Sequence, residues 1–175
     1  MVPDKFDKLV VKLKDSDPNI GVSAASDLLA LGPEGISYLV DEIVDLNKPT
    51  RERISELIRK QYSFERLRDK ACNDESGGVQ LLGISRYPEA LEILLKLLKD
   101  KLTRPVPNLG EVRVWYVIEA LGLLGDVRAL PELQQVLNSD IDYKDIDIYK
   151  DAKRAIKLID PEAPVTSKWL KPYNL

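Results

Sequence analysis

Apolar residues recur at helical spacing through one stretch of the chain after another. Phe6, Leu9, Val10 and Leu13 share one face of a helix predicted over residues 4–14. Residues 15–19 then read as a turn: Ser16 or Asp17 suits an N-cap and Pro18 suits a first helical position. The next helix is predicted over 20–31 and stops at Gly32. Pro33 and Glu34 open a third, which carries Ile36, Leu39, Val40, Ile43 and Val44. Residues 50–70 read as one helix with Ile54, Leu57 and Ile58 as its apolar positions. Gly77 and Gly78 either kink a helix or separate two, because an interior glycine weakens a helix by about 1 kcal/mol relative to alanine. The pattern over 88–102 is strongly amphipathic, and Pro105 and Pro107 cannot continue it. Residues 112–124 form the most apolar helix, which implies burial between neighbours. Helices over 128–137 and 146–159 complete the set. No alternation is long enough to argue for a sheet.

A phrase closes one apolar stretch and opens the next. It reads Leu31, Gly32, Pro33, Glu34, then Leu82, Gly83 followed by Pro88, Glu89, Ala90, Leu91, then Leu124, Gly125, Asp126 followed by Ala129, Leu130, Pro131, Glu132. A weaker echo is Asp160, Pro161, Glu162, Ala163. The three glycine landmarks stand 51 and 42 residues apart, periods that suit helical hairpins with insertions. No such hairpin buries its apolar face alone, so successive pairs stack. The expected fold is all-α, an α-α superhelix of about four hairpins. Residues 1–163 are expected to form one domain, with 164–175 a tail or a cap over the last helix.

Composition narrows the function by exclusion. Net charge is −3 and aromatics are 6%, which argues against a general nucleic-acid surface. No apolar run approaches the ~20 residues of a membrane span. The first residues carry no signal-peptide apolar region, and Cys72 is the single cysteine; a cytoplasmic location is expected. Histidine is absent, removing the commonest general base and the commonest zinc ligand. No catalytic constellation is found, so no enzymatic activity, cofactor or metal is expected.

The residues of the recurring phrase resemble HEAT-like repeats, in particular the subtype described in phycobilisome bilin lyases. Glu111, Val112 and Arg113 resemble that motif's helix-opening element, and Asp17, Pro18, Asn19, Ile20 a degenerate version with Gly21 in place of arginine. The resemblance spans most of residues 4–163. It implies an armadillo-like superhelix and a scaffolding role, with the second helix of each unit lining the inner surface. On that basis Arg113, Tyr116 and Glu119, spaced i, i+3, i+6, are expected to share a partner-binding face. The expected partner is another protein. The alternatives are an accessory subunit of a bilin lyase-like or other protein-modification complex, and a weak nucleic-acid binder acting through residues 51–70.

That basic segment holds seven basic and four acidic residues; Arg59 and Arg66 are its candidate contacts, although pairing on an exposed helix explains the pattern as well. Glu119 is the one carboxylate within an apolar helix, and pairing with Arg113 or Arg128 is favoured for it. Asp140, Asp142, Asp145, Asp147 and Asp151 depart from a calcium loop, with Lys144 at a ligand position and no glycine at the sixth. Cys72 has no histidine to activate it, and Gly77 with Gly78 matches no phosphate-binding pattern.

Overall fold

Polar side chains set where the helices begin, and these caps divide the chain. The computed structural model describes residues 5–73, 77–103, 114–139 and 146–165. Among them are ten α-helices and no strand: α1 (Lys5–Leu13), α2 (Pro18–Ala30), α3 (Pro33–Ile43), α4 (Lys48–Gln61), α5 (Phe64–Cys72), α6 (Gly78–Ser85), α7 (Ala90–Thr103), α8 (Val114–Leu124), α9 (Leu130–Asn138) and α10 (Ile146–Ile159). A 3-10 turn, Val127–Ala129, precedes α9. Asp17 accepts from the Asn19 amide at 2.9 Å and Asn47 from the Thr50 amide at 2.9 Å, each starting a helix.

Residues 50–70 are two helices rather than the one expected. Tyr62 leaves helical geometry at φ −131°, ψ 126°, and Ser63 caps α5 by accepting from the Arg66 amide at 3.3 Å. Tertiary contacts hold this break. The Tyr87 hydroxyl donates to the Tyr62 carbonyl at 3.1 Å, and the Phe64 and Tyr87 rings meet edge to face at 5.7 Å. Gly77 and Gly78 also separate helices: Gly77 is left-handed at φ 72° and α6 starts after it.

The turns that carry the recurring phrase join α2 to α3, α6 to α7 and α8 to α9, and the Ser63 break joins α4 to α5. These four helix–turn–helix pairs are flanked by α1 and α10; α3 packs on α2, whereas α5 packs on α6, α7 on α8 and α9 on α10. Their first helices form a continuous row, since α2 packs on α4, α4 on α6, α6 on α8 and α8 on α10. Backbones come close where this row is densest. A Cβ on Gly83 would lie 2.7 Å from Ala120 Cα, and one on Gly122 would lie 2.8 Å from Ala155 Cα. Every residue of α6 is buried. One apolar core runs from Leu9 to Ala163, with Leu28, Leu39, Ile58, Leu82 and Ile118 fully inside.

Gly83 therefore does not end a helix, as its place in the phrase suggested. It lies inside α6, and the left-handed position is Arg86 at φ 54°, equivalent to Gly32 (φ 76°) and Gly125 (φ 74°). An L-residue there carries strain of about 1–2 kcal/mol. Its side chain supplies an offset: Arg86 Nε donates to the Leu123 carbonyl at 3.2 Å, capping the last turn of α8.

Candidate functional site

α8 is apolar nearly all round, and seven of its residues from Val117 to Leu124 are buried. α6, α7 and α10 cover it. Four positions are not buried: Val114 and Trp115 are partly covered, and the other two are Tyr116 and Glu119. Tyr116 is 38% exposed, its ring tilted against Trp115 at 5.8 Å. Glu119, one turn on, is half-buried and makes no hydrogen bond or ion pair among the described residues.

The surroundings of Glu119 come from elements distant in sequence. Its carboxyl is pushed up from the ordinary 4.5 to about 7: burial is the main cause, Arg154 opposes it, and Asp151 and Asp41 add to it. Asp151 and Arg154 stand on α10, and Asp41 near the end of α3. Arg154 is itself engaged by Asp45, which follows α3, at 3.3 Å. The end of α3 thus reaches α10 across 109 residues of sequence. Partial burial, and the neighbouring Glu42, also raise the Asp41 carboxyl. A carboxyl so placed accepts a hydrogen bond from an incoming donor, and a cation beside it displaces its proton.

Of the two partners expected for Glu119, Arg128 is engaged elsewhere. Arg128 is held by Asp126 at 2.6 Å, and that guanidinium keeps the Asp126 carboxyl below its usual range. Arg113 lies outside the described residues. Arg59 and Arg66 do not join the α8 face. Arg59 Nη1 donates to the Ser85 carbonyl at 2.8 Å, and Arg66, on α5, lies 5.2 Å over the Tyr62 ring. Cys72 is exposed at the end of α5.

Of the acidic run, Asp140, Asp142 and Asp145 lie outside the described residues, and Asp151 belongs to the Glu119 surroundings. No metal-holding group of three acidic, cysteine or histidine side chains occurs among the described residues. Residues 166–175 of the expected tail lie outside them too, while Ala163 is buried and Val165 packs on the core. Sequence reasoning missed Asp41, Arg154 and Arg86. Only the i, i+3 spacing of Asp151 and Arg154 offered a signal, and nothing local links either to α3.

α8 is followed by a leucine–glycine turn and by α9, which packs on α10. Residues 114–139 match the family model of the PBS lyase HEAT-like repeat. The chain carries a HEAT-like repeat. The match begins with α8 and ends just past α9, so α8 is the first helix of its unit. The expectation that Tyr116 and Glu119 sit on a second helix is corrected accordingly. No curated protein and no solved structure matches the chain. No helix among the described residues is long and apolar enough to cross a membrane.

Proposed function

We propose that this chain is a non-enzymatic protein-binding scaffold whose α8 face, Tyr116 with Glu119, receives a basic segment of a partner protein. One observation carries the reading. A helix largely buried in the stack leaves a tyrosine exposed beside a half-buried carboxylate that has no hydrogen-bond donor among the described residues. Tyrosine is enriched among residues that dominate binding energy. The carboxylates of Asp41 and Asp151 add negative charge around Glu119, so a lysine or arginine is the complementary group. Its arrival favours the charged form of Glu119, so capture releases a proton near neutral pH.

The test is affinity capture with the intact chain, with and without nuclease, against Tyr116→Ala and Glu119→Gln. A protein retained after nuclease by the wild type and lost by both variants, with helicity unchanged, supports the reading. Recovery that disappears with nuclease, or equal capture by the variants, refutes it.

A further inference from the structure

Three arginines gather where α4, α6 and the end of α8 meet. Arg59, on α4, donates Nη1 to the Ser85 carbonyl at 2.8 Å. The next residue, Arg86, turns left-handed and sends Nε to the Leu123 carbonyl at 3.2 Å. Arg51 comes from two turns earlier in α4, and its Nε is buried with no hydrogen-bond partner. Burial and the charges of Arg51 and Arg59 all weaken the hold of Arg86 on its proton. These three side chains therefore share one electrostatic neighbourhood.

Counter-charge there is short. Among the described residues, none of the three arginines forms an ion pair with a carboxylate. Glu52 is the acid that acts on Arg86, and its carboxylate also lies 3.9 Å from Lys48 Nζ. Counting Arg51, Arg59, Arg86 and Glu52, the neighbourhood carries an excess of two positive charges. A buried guanidinium N–H without an acceptor is uncommon in a folded protein, and like charges held together destabilise it unless something answers them.

We propose that Arg51, Arg59 and Arg86 form a binding site for a phosphate dianion, free or as a small phosphomonoester. The charge matches the excess, because a phosphomonoester is largely dianionic at neutral pH. Its oxygens accept from the planar guanidinium fork. Two of the arginines are anchored through single N–H groups to helix-end carbonyls, which leaves their other N–H groups for the ligand. Arg86, standing where the α2–α3 and α8–α9 turns have glycine, places its charge beside that of Arg59. The site is separate from the α8 face, and neither proposal depends on the other.

Calorimetric titration tests this. The intact chain, dialysed free of phosphate, is titrated at constant ionic strength with inorganic phosphate and with glycerol 3-phosphate. Saturable binding at one site per chain is expected for at least one of them, and comparing the two distinguishes a free from an esterified ligand. Arg51→Gln weakens that binding by at least about tenfold, whereas Lys96→Gln on the exposed face of α7 leaves it unchanged. Arg51→Lys, which keeps the charge but loses the fork, also binds more weakly, and it provides the readout if Arg51→Gln loses helicity. No saturable binding of either anion up to about 10 mM overturns the proposal. So does Arg51→Gln that stays folded and binds as tightly as the wild type.

Discussion

Replacing Arg86 separates two opposing contributions at one turn. Its left-handed backbone (φ 54°) is strained for any residue with a Cβ, while its side chain caps α8 through the 3.2 Å bond to Leu123. Arg86→Ala keeps the strain and loses the bond. A hydrogen bond from a charged donor is worth about 1.5–3 kcal/mol, so the variant should be destabilised by up to about that much, less the repulsion from Arg51 and Arg59 that it relieves. Arg86→Gly loses the same bond and relieves the strain. Net of glycine's larger unfolded-state entropy, the relief is about 1 kcal/mol. Stability should therefore fall in the order wild type, Gly, Ala. For a chain of this length, 1 kcal/mol corresponds to about 2–4 °C in Tm. Thermal unfolding by far-UV circular dichroism resolves such steps. Arg86→Ala equal to or above Arg86→Gly would refute the assignment of strain. Either variant matching the wild type would refute the cap.

The close approaches within the first-helix row predict a contrast between glycines. Gly83→Ala forces its new methyl against the Ala120 backbone and should destabilise by more than about 2 kcal/mol, whereas Gly32→Ala meets nothing within 4 Å and loses only about 1 kcal/mol to its positive φ; chemical denaturation ranks the two. Glu119 binds its proton more tightly folded (about 7) than unfolded (ordinary value 4.5), so its contribution is full below pH 4.5 and is lost as pH rises through about 7. Wild-type stability should thus fall relative to Glu119→Gln across that window, by up to about 3 kcal/mol, and a pH-independent difference between the two contradicts the environment assigned to Glu119. Tyr116→Ala should abolish partner capture and move Tm by less than about 2 °C, since the ring is partly exposed and surface changes are small; a larger loss of stability identifies Tyr116 as a packing residue.

Helix periodicity and the leucine–glycine turns made the helix–turn–helix pairs legible in the sequence, because both are local. The break at Ser63 was not, since it depends on Tyr87 donating across 25 residues to Tyr62. The misplaced end of α6 has a simple cause: Gly83 is there for close packing on Ala120, and the residue that turns the chain is an arginine. For the α8 face, Tyr116 and Glu119 were named from their i, i+3 spacing and from a second-helix placement that the repeat match corrects. The surroundings of Glu119 were not legible, because Asp151 and Arg154 come from α10 packed on α8, and Asp41 from α3, all remote in sequence. Arg128 sat near Glu119 in sequence and looked available, yet Asp126 two residues before it had the shorter reach.

The central claim is that four helix–turn–helix pairs and two flanking helices share one core from Leu9 to Ala163 and fold as a unit. Urea unfolding of the Trp169→Phe chain, followed at once by far-UV circular dichroism and by Trp115 fluorescence, tests it most directly. The dichroism reports all ten helices, and Trp115 reports the α8 junction. One transition with coincident midpoints and slopes is predicted. Two separated transitions, with Trp115 following only one of them, would mean two independent cores and contradict the account.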